Sequence, residues 1–287
     1  MGRVAYVNGR YLEHSQAVVH VEDRGFQFAD AVYEVWAVFD GKLADCEGHF
    51  NRLDRSLSEL SIDQPMSRAA LRMVIGETLR RNRIKDGMVY LQISRGVAKR
   101  DHAFPDPAPL PTVVLTAKSI NYDALNAKAA KGVSVITQPD IRWGRCDIKT
   151  VGLLPNAMAK TLAHDAGAEE AWLVDEMGLV TEGASTNAWI VDASGTLRTR
   201  DTQANILRGI TRAALIERLK EEGIGFSEVP FSVEEAKGAK EAFLTAASAF
   251  VLPIVQIDNI TIGNGQPGPL SLKLRGLYME TARRTAS

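Results

Sequence analysis

Four groups in this 287-residue chain combine residue types with settings suited to chemistry. Lys149 lies in "RWGRCDIKTVGLLPNAMAK", between Ile148 and Thr150, with an apolar run after it. An apolar setting disfavours an ammonium and leaves a free amine able to form a Schiff base with a carbonyl. The same lysine could equally snorkel from a strand end. Glu182 lies in "LVTEGASTNAWIV", between an apolar strand end and a turn of small residues. A carboxylate there either accepts backbone N–H groups or pairs with a cationic ring nitrogen. In "NILRGITRAALIERLKEEG", Gly209 precedes an amphipathic helix that opens with Ile210 and Thr211. A helix start offers free N–H groups and the positive end of the dipole, which suits a phosphate, although many helix starts bind nothing. In "SRGVAKRDHAFP", Arg95, Lys99, Arg100 and His102 crowd one loop. Such a loop either receives a carboxylate ligand or is simply solvated.

Taken together, these parts are more specific than any one alone. A lysine for an imine, a carboxylate for a pyridinium and a helix start for a phosphate are the parts of a pyridoxal phosphate site. Arg52, on a predicted helix, adds a candidate second phosphate contact. Other chemistries lack their residues. The chain has no G-x-x-x-x-G-K-[ST], no G-x-G-x-x-G after a strand and no G-x-S-x-G elbow. Its five histidines and two cysteines show no metal-ligand spacing.

The elements that must position these groups fall into two parts. The first part opens with hairpins. Asn8-Gly9 and Asp40-Gly41 each separate two apolar runs, a strong hairpin signal. Phe50, Leu53, Leu57 and Leu60 then recur at helical spacing, and Ser67 is the expected N-cap of a second helix running to about Arg83. Strands follow at "MVYLQISRG" and "TVVLTAK". The second part alternates strands ("VSVITQ", "EAWLVD", "TNAWIVDASGTLRT", "EAFLTAA", "PIVQIDNITIG") with helices. Ser232 and Glu235 form a capping box at one helix start. The expected division is residues 1–120, a linker at 121–131, and residues 132–287, in an α+β fold.

Composition excludes several classes. The formal net charge is -1, with 34 basic and 35 acidic residues, so nothing asks for nucleic acid or an anionic membrane. No apolar run approaches the about 20 residues a membrane helix needs. The N-terminus shows no signal-peptide pattern, and the two distant cysteines, Cys46 and Cys146, are expected as reduced thiols in a cytoplasmic protein.

The blocks "EDRGFQFADAVYEV", "HFNRL", "SRGVAKRDHAFP", "IRWGRCDIKTVGLLPNAMAK", "VTEGASTN" and "LRGITR" occur in one order over nearly the whole chain. In them the chain resembles the class IV, or fold type IV, pyridoxal phosphate aminotransferases. The R-x-H of Arg100 and His102 is similar to the D-amino acid branch. The resemblance implies a two-domain fold with pyridoxal 5'-phosphate in the cleft between domains. It also implies ping-pong transfer of an amino group between a D-amino acid, of the D-alanine type, and a 2-oxo acid. Lys149 then matches the Schiff-base lysine, which also shuttles the proton, and Glu182 the partner of the pyridine nitrogen. Arg52, Ile210 and Thr211 match phosphate contacts. Tyr33, Arg100 and His102 match a trap for the substrate carboxylate, the last two donated by the neighbouring subunit of a homodimer.

Some residues depart from the family pattern. "FLTAASAFVLP" carries Ala246 and Ala247 at a phosphate-side turn, leaving the hydroxyls of Thr245 and Ser248, and Ser248 is counted among the cofactor contacts. Phe250 stands where an acidic residue is common, and Trp36 is expected near the pocket. Rival activities within the class are L-branched-chain transamination, (R)-amine transamination and aminodeoxychorismate lysis. The R-x-H loop argues against the first two. Outside catalysis the rivals are a non-catalytic cofactor binder and an unrelated α/β protein.

Overall fold

The structure, a computed structural model, describes residues 3–287 apart from residue 204. In chain order, β1 (Val4–Val7), β2 (Arg10–Glu13), α1 (Arg24–Phe28), β3 (Ala31–Phe39) and β4 (Lys42–Leu43) come first. They are followed by α2 (Cys46–Glu59), α3 (Arg68–Asn82), β5 (Gly87–Ser94) and β6 (Thr112–Ser119). Next come α4 (Tyr122–Lys131), β7 (Val133–Pro139), α5 (Leu154–Asp165), β8 (Glu170–Val174), β9 (Val180–Gly183), β10 (Asn187–Val191) and β11 (Leu197–Thr199). The chain ends with α6 (Ile210–Glu221), β12 (Phe226–Ser227), α7 (Val233–Lys237), β13 (Glu241–Ala246), β14 (Phe250–Ile257), β15 (Ile260–Thr261) and α8 (Pro269–Thr285).

These elements form two compact units. The first runs to Asn121 and takes in Ile148–Gly152 and Thr285–Ser287. The second holds Tyr122–Asp147 and Leu153–Arg284. Of the segment 121–131, expected as a linker, Tyr122–Lys131 is instead the helix α4 and belongs to the second unit, while Asn121 belongs to the first. The reason is a sparse stripe: Tyr122 and Ala129 are buried and Leu125 half-buried, at i, i+3 and i+7, on an otherwise polar, alanine-rich segment.

Among the described residues, the first unit has a six-stranded sheet ordered β2-β1-β6-β5-β3-β4, antiparallel throughout. Asn8 and Gly9 both have positive φ, as do Asp40 and Gly41, the geometry a two-residue hairpin turn requires. Trp36, Val38, Val89 and Leu91 from the sheet meet Phe50, Leu53 and Leu57 of α2 and Leu71 and Ile75 of α3. Burying a large apolar side chain is worth about 1.5–3 kcal/mol, so this layer holds α2 firmly on β3. Ser67 caps α3 by accepting from the Ala70 N–H, as expected.

Among the described residues, the second unit has a nine-stranded mixed sheet ordered β12-β11-β10-β13-β14-β7-β8-β9, with β15 beside β14. β7 pairs in parallel with both β8 and β14. The Ser232–Glu235 capping box opens α7. Phe250, at φ 63°, is fully buried between Tyr122 and Tyr278, so it serves the core. No helix among the described residues is long and apolar enough to cross a membrane.

Candidate active site

Lys149 belongs to the first unit. Its short segment runs antiparallel to the start of β3, through Tyr33 N–H to Lys149 O at 3.0 Å and Val151 N–H to Ala31 O at 3.1 Å. Ile148 anchors it by burial in the core under α2. The main chain is therefore fixed. The side chain rests on an aromatic face: Nζ lies 4.1 Å from the Tyr33 ring centroid. Tyr33 itself packs on Tyr90 at 5.5 Å. Lys149 is thus half-buried, with a ring and not open solvent on one side of its amine.

β3 alternates its side chains between two faces. Tyr33 points one way, and Glu34 and Trp36 point the other, into the core beneath α2. Trp36 is fully buried, 5.4 Å from His49 and 5.3 Å from Phe50. Expected near the pocket, Trp36 instead takes the face opposite Tyr33, three residues away, and packs in the core.

Glu34 was not foreseen. It is completely buried and accepts from Arg52 Nε at 2.7 Å and from Arg52 Nη2 at 2.8 Å. His49 Nδ1 lies 2.7 Å from its Oε2. Burial alone would raise the Glu34 pKa, but the Arg52 charge and hydrogen bonds outweigh it and bring it down to about 2. Burial pushes the His49 pKa down, so at neutral pH the ring is uncharged. Ionised Glu34 can only accept, hence His49 carries its proton on Nδ1. The signal was legible: a carboxylate on the apolar face of a strand needs a buried cationic partner.

Arg100 and His102 are exposed, and both meet Phe28 at the end of α1. The Arg100 guanidinium carbon is 4.9 Å from the Phe28 ring centroid, and the His102 ring is 5.6 Å from it. Arg95, expected among the cationic groups of this loop, has a different role. It is buried, holds Asp30 at 2.7 and 3.0 Å, donates to the Ser61 and Leu60 carbonyls, and lies 3.6 Å from the Phe104 ring. Arg24 shares Asp30 at 2.8 Å and donates to the Asp101 carbonyl at 2.7 Å. This clamp shapes the loop that presents Arg100 and His102.

Glu182 lies on β9 in the second unit, 4% exposed. Among the described residues, donors that hold it include Arg142 Nη1 on Oε1, the Leu207 N–H on Oε1 at 3.0 Å, and Asn187 Nδ2 on Oε2 at 2.9 Å. Arg142 is itself oriented by Asp140, at 2.9 Å from Nε and 2.7 Å from Nη2. Thr181 donates to the same Asp140 at 2.7 Å. Burial works against the Arg142 charge, but Asp140 and Glu182 more than offset it, so its pKa is raised. Arg142 and Asn187 stand in the quoted blocks, yet Arg142 pairs with Glu182 over 40 residues, which leaves no local signal.

Asn187 also ties the carboxylate to the helix start. Its Nδ2 donates to the Leu207 carbonyl at 3.0 Å, and a Cβ at Gly209 would collide with its Oδ1. Gly209 has φ -61°, so glycine is needed there for the close approach and not for its dihedral. α6 begins at once, with Gly209 as N-cap and no side chain capping it. Thr211 in the first turn is 2% exposed, and its hydroxyl has no partner among the described residues. An uncapped helix start with an unsatisfied buried hydroxyl fits an anion such as phosphate. Ser248 is exposed on the turn after β13, while Thr245 is buried and accepts from Trp189 Nε1 at 3.0 Å.

Neither thiol is reactive in character. Cys46 and Cys146 are free and buried, and burial pushes the Cys146 pKa up to about 11. Among the described residues no group of His, Cys, Asp and Glu could hold a metal ion.

Residues 31–257 match the family model of the class IV aminotransferases. The chain belongs to this family. It is 40% identical over 281 residues to a D-alanine aminotransferase of Bacillus licheniformis, covering 96% of this chain and 98% of that protein. A D-alanine aminotransferase of Staphylococcus haemolyticus is 39% identical over 271 residues, 94% of each chain. Among solved structures, a branched-chain amino acid aminotransferase from Thermoproteus uzoniensis with norvaline superposes with a TM-score of 0.86 at 25% identity, covering 99% of this chain and 96% of that one. The Escherichia coli branched-chain enzyme, at 22% identity and a TM-score of 0.87 over 100% of this chain and 96% of its own, shares the fold.

Proposed function

We propose that this aminotransferase moves the amino group of a D-amino acid, of the D-alanine type, to a 2-oxo acid, by a ping-pong cycle with pyridoxal 5'-phosphate. The pairing of Arg100 and His102 on one Phe28 ring carries the substrate side of this reading. Two cationic or hydrogen-bonding groups so placed suit a carboxylate. The D-alanine aminotransferases are also closer in sequence than the branched-chain structures, at 36–40% against 22–28%.

When bound, pyridoxal phosphate supplies the carbonyl that receives the amino group and a ring that accepts the electron pair released at Cα. Lys149 takes the proton from Cα and returns it to the other side of the exchange as general base and then acid. Tyr33 keeps the amine at rest on its ring. Glu182 holds a proton on the ring nitrogen, and Arg142 and Asn187 keep Glu182 aimed. Arg52, Ile210, Thr211 and Ser248 bind the phosphate. Tyr33, Arg100 and His102 bind the substrate carboxylate, with Arg100 and His102 donated by the neighbouring subunit of a homodimer. The protein works in the cytoplasm as this homodimer, on small-molecule substrates and without nucleic acid or membrane partners.

The test is spectroscopic. The cofactor absorbance of the purified protein should change to that of the amino form with D-alanine and stay unchanged with L-alanine. A change with L-substrates alone overturns the D-amino acid assignment. No change with either overturns transamination of these substrates.

A further inference from the structure

Arg52 meets a buried carboxylate and a buried histidine before it can meet any ligand. Glu34 takes the guanidinium side-on, with Nε on one oxygen and Nη2 on the other. His49, one helical turn before Arg52 on α2, comes within 2.7 Å of the Glu34 oxygen that Nη2 also contacts. Glu34 is 0% exposed and His49 2%, with the Trp36 ring tilted against the His49 ring at 5.4 Å. A two-point fork sets the plane of a guanidinium and the direction of its Nη1 edge.

A buried ion pair is a poor device for stability, since an apolar pair of the same volume often does as well. Glu34 is also awkward for phosphate binding as charge alone, because it neutralises the arginine. What the fork does supply is direction. An arginine side chain otherwise loses rotamer freedom when a ligand fixes it. Held by Glu34, it loses that freedom on folding.

We infer that Glu34 and His49 are positioning residues that aim Arg52 at the cofactor phosphate. Glu34 fixes the guanidinium, and His49 fixes Glu34 by donating to its second oxygen. The inference rests on the reading that Arg52 binds that phosphate.

Charge and direction predict opposite signs. If charge dominates, removing the Glu34 charge exposes Arg52 to the phosphate and tightens binding. If direction dominates, binding loosens. The experiment resolves the holoenzyme of its cofactor and titrates it back with pyridoxal 5'-phosphate or with pyridoxal. Pyridoxal keeps the ring and the carbonyl and lacks only the phosphate, so the ratio of the two dissociation constants isolates the phosphate grip.

In Glu34→Gln the preference for the phosphorylated form should fall about tenfold, the scale of one charge-assisted hydrogen bond misdirected. His49→Gln should lower it about threefold, with pyridoxal affinity unchanged. Arg52→Lys should lower it more than either, and Glu34→Gln should cost nothing further in that background, because the two act as one unit. A purely structural role would lower the melting temperature of Glu34→Gln and leave the ratio alone. An unchanged or increased ratio in Glu34→Gln, with Arg52→Lys reduced, overturns the positioning role. An unchanged ratio in Arg52→Lys overturns the phosphate reading of Arg52 itself. Should Glu34→Gln fail to fold, His49→Gln decides, and an unchanged ratio there overturns the inference.

Discussion

Lys149 and Glu182 are both partly withdrawn from solvent, yet they are held in opposite ways. Lys149 is fixed through its main chain, by the two bonds to β3 and the burial of Ile148, and its Nζ has a ring beneath it. Glu182 is fixed through its side chain, with donors on both its oxygens and Asp140 behind one of those donors. An aromatic face attracts an ammonium weakly and without direction, by about 0.5–2 kcal/mol. Charge-assisted hydrogen bonds are stronger and directional. A group that must change partners during a turnover belongs in the first setting. A group whose charge must stay constant belongs in the second. The folding unit that supplies each is therefore doing a different job: one leaves a side chain mobile on a rigid track, the other removes mobility altogether.

The largest effect should come from Lys149. Lys149→Ala removes the amine that stands on the Tyr33 ring, and loss of a general base costs about 10²–10⁴ in rate. Losing the covalent link as well places the expected fall at the upper end, about 10⁴ in kcat with D-alanine. Added methylamine should restore a measurable fraction, since the main-chain track survives and leaves a cavity for a small amine. Single-turnover decay of the cofactor absorbance reads both. Full activity in Lys149→Ala would remove the lysine from the chemistry.

Breaking the fixed side comes next. Glu182→Gln should lower kcat about 10²-fold, by removing the charge proposed to keep a proton on the ring nitrogen, with a smaller effect on cofactor affinity. Arg142→Met sharpens the comparison. It leaves Glu182 its Asn187 and Leu207 donors but removes the cation, and losing a charge-assisted bond is worth about 1.5–3 kcal/mol, roughly 10- to 100-fold in kcat. If Arg142→Met keeps wild-type kcat while Glu182→Gln does not, Glu182 needs no fixed counter-charge and the contrast drawn above fails on its second half.

How much of this was legible depended on range. The turns at Asn8-Gly9 and Asp40-Gly41, the α2 stripe, the Ser67 cap and the Ser232–Glu235 box are local patterns, and each forms where its residues say it should. Tyr122–Lys131 hid its helix because only two of its residues are buried. The opposite facing of Tyr33 and Trp36 follows from the two-residue period of a strand. Arg95 looked like its neighbours Lys99 and Arg100, and only the fold reveals Asp30 as its partner, 65 residues away. Glu34 with Arg52, and Glu182 with Arg142, are pairs between distant segments, so the chain shows the charges without their pairing. Family blocks carried Lys149 and Glu182, but the groups that hold them came from the packing.

The smallest effect should separate the two uses of Tyr33. The structure gives its ring a role toward Lys149 Nζ, and the proposed function gives its hydroxyl a role toward the substrate carboxylate. Tyr33→Phe removes only the hydroxyl. A hydrogen bond to a charged group is worth about 1.5–3 kcal/mol, so KM for D-alanine should rise at least about tenfold with kcat nearly unchanged. Tyr33→Leu removes the ring as well. The Lys149 amine then loses about 0.5–1 kcal/mol of resting preference, which should appear as a further change in kcat, roughly two- to fivefold beyond Tyr33→Phe. The comparison is internal, so fold damage common to both variants cancels. Equal kcat values in the two would mean that the ring does not hold the amine, and the main-chain track alone would then account for where Lys149 sits.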